Sequence, residues 1–130
     1  MKKKLRPTDA ELEILQVLWD NGPCSVRFVN DELSQRKDVG YTTTLKLMQI
    51  MVDKGIADRD TSSRRHLYEA AIPRDEAQNR LLKKLADLAF GGSAVRLAMQ
   101  ALGDEQASRS EIDQLRLLLD QLEENAANGK

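Results

Sequence analysis

Apolar residues recur every three or four positions along most of the chain, which predicts a mainly helical protein. The most informative segment is residues 40–55, which has the length of a helix of about four turns. Its polar side chains at positions i, i+4, i+7 and i+11 share one helical face: Thr42, Lys46, Gln49 and Asp53. Most of the remaining positions are apolar. This pattern predicts a helix that is buried on most sides and exposes one polar strip.

Two further helices are predicted before this one. Thr8 and Glu11 have the spacing of a capping box, and residues 21–23, Asn-Gly-Pro, end the helix that follows. Ser25 is the predicted N-cap of the second helix, and a short polar break ending in Gly40 separates it from the third. Two helices joined by a short turn, with the polar strip on the second of them, are typical of a helix-turn-helix.

A β-hairpin is predicted after the third helix, because two short extended segments flank the turn-forming residues 61–63. The tip of the hairpin is basic, with Arg64, Arg65 and His66, and Arg59 lies on the first strand. A helix-turn-helix followed by such a hairpin is a winged helix. The wing arginines are therefore expected where DNA phosphates or a minor groove pass.

The polar strip combines hydroxyls, an amide and an ammonium group, which can form hydrogen bonds with base edges and phosphates. We therefore predict that the third helix is a recognition helix. The predicted DNA-binding residues are Tyr41, Thr42, Thr43, Lys46, Gln49, Arg64 and Arg65. The alternative interpretation is a core helix with one solvated face, next to a loop whose arginines are simply solvated.

Residues 73–130 are predicted to be entirely helical, with two leucine-rich stripes at near-heptad spacing. The predicted dimerisation residues are Leu81, Leu85, Leu88, Ile112, Leu115, Leu119 and Leu122. About 57 residues alone bury too little surface to hide these stripes, so a second copy is expected to cover them across a twofold axis. The alternative is that they pack back onto residues 1–72. Residues 125–130 are expected to fray.

The predicted fold class is mostly α with a small β-hairpin: an N-terminal winged helix-turn-helix followed by a helical dimerisation region. Residues 1–72 form the predicted winged-helix DNA-binding domain, and residues 73–130 form the predicted helical dimerisation domain.

The overall charge does not favour DNA binding, because 20 basic side chains face 21 acidic ones and the net charge is −1. Residues 1–72 contain 12 basic and 11 acidic side chains, so any positive potential must be local rather than global. The near-neutral charge leaves an alternative function open. In that alternative the chain is a protein-interaction adaptor that uses the winged helix and the leucine-rich helices.

Motifs for enzymatic chemistry are missing from the sequence. It has no metal-ligand spacing, no phosphate-binding loop and no nucleophile elbow, so neither catalysis nor a metal or cofactor is expected. Cys24 is the single cysteine, which rules out an internal disulfide and suggests a small apolar filler. No apolar run approaches the ~20 residues of a membrane span, and no apolar region follows the basic residues 1–6, so a cytoplasmic location is expected.

Several segments together match one known family. They are Leu12-Glu13-Ile14-Leu15 with Leu18-Trp19, Tyr41-Thr42-Thr43-Thr44, Lys54-Gly55, Tyr68, and Phe90-Gly91-Gly92-Ser93. On these residues the chain resembles the penicillinase repressor family of bacterial winged-helix regulators, over roughly residues 7–123. The resemblance implies a homodimer that sits on a dyad-symmetric operator and blocks transcription, for example of antibiotic-resistance or stress genes. It also implies that the C-terminal helices make the dimer contacts.

The inducing signal does not follow from this resemblance. For the β-lactamase branch of the family, the resemblance implies a further partner. This partner is a membrane sensor protease, which triggers cleavage of the repressor at an Asn-Phe bond. This chain has no Asn-Phe dipeptide and no C-terminal cysteine pairs like those of the copper-responsive branch. Position 50 also differs, because it holds Ile50 where the family often has an arginine.

Overall fold

The computed structural model describes residues 6–62 and 64–129, which form six helices and one two-stranded sheet. In chain order these are α1 (Asp9–Asn21), α2 (Val26–Ser34), α3 (Tyr41–Lys54), β1 (Ala57–Asp60), β2 (Leu67–Ala70), α4 (Arg74–Ala89), α5 (Ala94–Gly103) and α6 (Arg109–Gly129). The predicted mostly α fold with a small hairpin is confirmed. Residues 1–5, Lys130 and Ser63 of the predicted turn lie outside the described residues.

The chain divides into two compact units, Met1–Leu81 and Leu82–Lys130. The boundary falls inside α4, whose residue Ala77 belongs to the hydrophobic core of the first unit. The division of function between residues 1–72 and 73–130 stays a prediction.

The local signals at the first two helices act as the sequence predicts. The hydroxyl of Thr8 accepts a hydrogen bond from the Glu11 amide at 3.2 Å, and the Glu11 carboxylate accepts one from the Thr8 amide at 3.0 Å. Gly22 ends α1 with a positive φ of 76°, which a residue with a Cβ rarely adopts. The hydroxyl of Ser25 caps α2 by accepting a hydrogen bond from Phe28 N at 3.1 Å.

The core of the first unit lies between the three helices and the hairpin. Its fully buried side chains include Ile14, Leu15, Val29, Thr44, Met48, Met51, Ile56 and Ile72. Trp19 lies at the edge of this core rather than inside it. Its indole Nε1 donates to the carbonyl of Ile72 at 3.0 Å, and the guanidinium of Arg74 lies 5.7 Å from its ring centroid.

A backbone bridge joins the hairpin to the segment between α1 and α2. The amide and carbonyl of Cys24 each form a 2.8 Å hydrogen bond with the backbone of Tyr68 on β2. The Cys24 side chain is buried, as predicted for a filler, and burial together with the nearby Glu32 carboxylate raises the pKa of its thiol. The bridge fixes the base of the hairpin against the helix-turn-helix.

A buried ion pair ties the start of α1 to the end of α3. Lys54 Nζ lies 2.7 Å from Glu11 Oε1, although the two residues are 43 positions apart in sequence. The side chains are only 18% and 3% exposed, whereas Lys37 and Glu13 form a 2.8 Å pair that is 49% and 42% exposed. Because a charge left buried without its partner is costly, the Glu11 pair is expected to matter far more than the Glu13 pair.

We expect Glu11→Ala to lower the free energy of unfolding by about 2–4 kcal/mol, because it leaves Lys54 unpaired and removes half of the capping box. The matched control is Glu13→Ala on the same helix, for which the expected loss is below about 0.5 kcal/mol. Urea unfolding of both variants, followed by circular dichroism, measures the difference. Equal losses in the two variants would contradict the role given to the buried pair.

The second unit begins within α4 and includes α5 and α6. Gly91 and Gly92 turn the chain after α4 with positive φ values of 59° and 84°, and Ser93 caps α5. The expectation that residues 125–130 fray was wrong for residues 125–129, since α6 continues to Gly129; Lys130 lies outside the described residues. Ala126 and Ala127 in its last turn explain this, because alanine has the highest helix propensity.

Candidate nucleic-acid interface

α3 presents one broad exposed face. It begins after Gly40 and ends at Gly55, which adopts the left-handed conformation with φ 84°. Its buried side chains are Thr44, Met48 and Met51. Its exposed side chains are Tyr41, Thr42, Thr43, Lys46, Gln49, Ile50 and Asp53. The predicted polar strip is therefore confirmed as exposed, but the open face is wider than predicted and includes Ile50, which is 37% exposed.

The turn before α3 is held by a side chain that sequence analysis did not identify. The amide of Asn30 on α2 lies 2.7 Å from Thr44 Oγ1. With its nitrogen directed at the turn, this amide also donates to the carbonyl oxygens of Val39 and Gly40, both at 3.2 Å. Thr44 is fully buried, so these hydrogen bonds fix the first turn of α3 relative to α2. A threonine on the apolar side of the helix was the only sequence signal for this contact.

A groove of about 350 Å³, which we call the basic groove, lies between the start of α2, α3 and the wing. Its lining residues are Ser25, Val26, Arg27, Tyr41, Leu45, Gln49, Arg59, Arg64, Arg65, His66 and Tyr68. Four of the predicted DNA-binding residues meet here, two from α3 and two from the wing. The lining contains four guanidinium groups and no carboxylate. The groove therefore has a local excess of positive charge in a chain that is nearly neutral overall.

In the part of the chain that the structure describes, the arginines of the basic groove have no acidic partner. Within residues 6–62 and 64–129, no carboxylate oxygen lies within 4.0 Å of Arg27, Arg59, Arg64 or Arg65. Outside the groove, Arg74 pairs with Asp20, Arg80 with Glu76 and Arg109 with Asp113, whereas Arg36, Arg96 and Arg116 have no carboxylate of the described residues within 4.0 Å; the four arginines of the groove therefore differ in lying together. A guanidinium without such a partner keeps its N–H donors available for an anionic ligand, and its planar fork suits a phosphate.

The wing is a short antiparallel hairpin in which Asp60 pairs with Leu67 and Arg59 with Tyr68. Its turn is ordered by Asp60, whose Oδ1 accepts hydrogen bonds from the hydroxyl of Ser62 at 2.6 Å and from its amide at 2.9 Å. These two hydrogen bonds hold the pKa of Asp60 below its ordinary value. His66 adopts a positive φ of 52° where the chain enters β2. The turn thereby presents the arginine pair next to α3.

The residues predicted for dimerisation lie largely on the surface. Leu81, Leu85, Leu88, Leu119 and Leu122 are exposed, while Ile112 and Leu115 are half-buried. Within residues 94–129, which cover α5 and α6, no side chain is buried. Large exposed apolar surface of this kind is typical of an interaction face.

In residues 6–62 and 64–129 no three His, Cys, Asp or Glu side chains come close enough together to hold a metal ion. In the same residues, no helix has both the length and the apolar character that crossing a membrane requires.

Comparisons with known proteins agree on one family. The family model described as "Penicillinase repressor" matches residues 7–121. The transcriptional regulator BlaI of Mycobacterium tuberculosis is 32% identical over 130 residues, which cover 98% of this chain and 93% of that protein. The penicillinase repressor of Staphylococcus aureus is 22% identical over 120 residues, which cover 92% and 95%.

A solved structure is also similar to this chain. It is the solution structure of the monomeric form of Bacillus licheniformis BlaI in complex with the blaP half-operator. The TM-score is 0.50 and the sequence identity 26%, and the match covers 58% of this chain and 93% of that one.

Proposed function

Because this chain belongs to the penicillinase repressor family, we propose that it represses transcription by placing the exposed face of α3 and the basic groove on operator DNA. The observation that supports this most is the groove itself, where four unpaired arginines adjoin the exposed face of α3. The similar BlaI structure is a complex with a half-operator, which agrees with a DNA-binding role for the corresponding fold.

In this proposal α3 enters the major groove, which is wide enough to admit a helix. Thr42, Thr43, Lys46 and Gln49 contact base edges, since hydroxyl, ammonium and amide groups match the donors and acceptors displayed there. Tyr41, Arg64 and Arg65 contact the DNA backbone instead. The backbone contacts set the position of the protein on the duplex, and the base contacts provide sequence discrimination.

We further propose that two chains bind one operator as a homodimer through the exposed leucines of α4 and α6. In a helix-turn-helix dimer the two recognition helices lie about 34–36 Å apart, one turn of DNA. The exposed apolar face of these helices provides the surface that such a contact needs. The same proposal includes a cytoplasmic location, where the operator is, and no catalytic activity.

The protein-interaction adaptor is not favoured as a function. The family and the relatives named above are transcriptional regulators, and the similar structure contains DNA. A cluster of four arginines without a carboxylate also suits a polyanion better than a mixed protein surface. The regulated genes are proposed to belong to antibiotic resistance or stress responses.

Lys46→Ala is expected to weaken binding to the DNA upstream of the protein's own gene. Losing one cationic contact to DNA should reduce the slope of log K against log salt by about 0.9, and a dimer that loses one contact in each subunit should show a reduction of about 1.8. Gel-shift titrations between about 50 and 200 mM salt measure this slope. Lys37→Ala is the control, since Lys37 lies outside the site and pairs with Glu13.

Two results would contradict this proposal at different levels. If Lys46→Ala leaves both affinity and slope unchanged, Lys46 does not lie in the interface. If the wild-type protein binds its upstream DNA no better than an unrelated duplex, the proposed function itself is wrong.

A further inference from the structure

We propose that Arg27, at the start of α2, binds a DNA phosphate from the helical side of the basic groove and that the ring of Tyr41 positions it. This inference rests on the proposed DNA binding. It adds a residue of the first helix of the helix-turn-helix to an interface otherwise assigned to α3 and the wing.

The distribution of charge in the basic groove supports this role. The other three guanidinium groups come from the wing: Arg59 from β1, and Arg64 and Arg65 from the turn. From the helical side, Arg27 is the only charged lining residue. A phosphate in the groove would therefore meet cations from both sides only if Arg27 takes part.

The cation–π contact of Arg27 with Tyr41 supports its orientation. The guanidinium carbon of Arg27 lies 5.6 Å from the centroid of the Tyr41 ring, within the range of a cation–π interaction. A contact with the face of a ring occupies none of the acceptors or donors of a salt bridge, so the guanidinium N–H groups remain available to an anion. It also restricts a long side chain before the ligand arrives, which reduces the entropy lost on binding. Tyr41 is itself 45% exposed, so this pair lies at the surface.

The absence of an acidic partner completes the argument. Of the residues that the structure describes, none offers a carboxylate oxygen within 4.0 Å of Arg27. Arg27 also lines one groove together with Arg59, Arg64 and Arg65, and no carboxylate lines that groove. Arg27 is exposed, contacts an aromatic ring and lines the same groove as three other arginines. This arrangement favours binding of an anion. The phosphodiester backbone next to α3 is the anion that the proposed function supplies.

The test compares full-length wild-type protein with three variants on the DNA fragment that the wild type binds. Arg27→Gln should weaken binding about eightfold per subunit at about 0.1 M salt and reduce the salt slope by about 0.9 per subunit. Arg27→Lys keeps the charge, so its slope should stay near that of the wild type. Arg36→Gln, just beyond the end of α2 and outside the groove, should change neither quantity. Because Arg27 is exposed, all variants should keep the wild-type thermal midpoint.

The role of Tyr41 is tested by repeating Arg27→Gln in a Tyr41→Leu background. If the ring positions Arg27, the loss caused by Arg27→Gln should be smaller there than in the wild type. Equal losses in both backgrounds would overturn the positioning role.

The remaining outcomes separate this inference from the proposed function. If the wild type binds but Arg27→Gln behaves like Arg36→Gln, the phosphate contact is overturned and the proposed function stands. If affinity falls without a change in slope, Arg27 acts only through the packing of Tyr41 and the phosphate contact is again overturned. If the wild type itself does not bind, the proposed function fails, and the inference fails with it.

Discussion

Replacing Leu119 and Leu122 together by glutamate should convert the proposed dimer into a monomer and weaken operator binding by about 100-fold or more. Both leucines are more than half exposed on α6 of the single chain and belong to the predicted dimerisation stripe. Two carboxylates in an apolar contact would have to lose their hydration without gaining partners, which is costly. Without the dimer, the two half-sites must bind separately, and the gain from linking them is lost.

Leu117→Glu is the matched control for this prediction. Leu117 lies on the same helix and is 67% exposed, but it points about 180° away from the stripe formed by Ile112, Leu115, Leu119 and Leu122. It should therefore leave the protein dimeric. Sedimentation velocity at micromolar concentration measures the assembly state, and gel shifts with full and half operators measure affinity. The half-operator affinity should be unchanged in the double variant. A wild-type protein that sediments as a monomer would contradict the proposed dimer.

Local signals in the sequence were sufficient to predict the order of the elements. A capping box, an N-cap serine and a terminal glycine each act within a few residues of the helix end that they define, so Thr8, Ser25 and Gly55 could be identified without tertiary information. Period and spacing likewise placed Lys46 and Gln49 on one exposed face. The family resemblance added function, which composition alone argued against.

Contacts between elements could not be predicted in the same way. The Glu11–Lys54 pair spans 43 positions and the Asn30–Thr44 hydrogen bond spans 14, and neither follows from a local pattern. Arg27 was missed for this reason, because its significance comes only from its distance to Tyr41 and the wing. Ile50 shows the opposite error, since it was counted among the apolar positions of a mostly buried helix although it is 37% exposed on α3.

The second large effect is expected for the specificity of DNA binding, which depends on contacts to bases and not on contacts to the DNA backbone. Gln49→Ala should reduce the ratio of specific to non-specific binding by about 100-fold in the dimer, because an amide that pairs with a base discriminates by about 1–3 kcal/mol in each half-site. The affinity for an unrelated duplex should change little. Gln49 is exposed on α3 and also lines the basic groove, so it stands where the two kinds of contact meet.

Arg65→Ala should behave in the opposite way and serves as the comparison. Arg65 lines the same groove from the wing and is assigned to the backbone, so its loss should weaken operator and unrelated DNA by similar factors. It should also reduce the salt slope by about 1.8 for the dimer, whereas Gln49→Ala, which removes no charge, should leave the slope unchanged. Competition gel shifts with both duplexes over a range of salt concentrations separate the two patterns. If Gln49→Ala weakened both duplexes equally, α3 would not be the element that distinguishes one sequence from another.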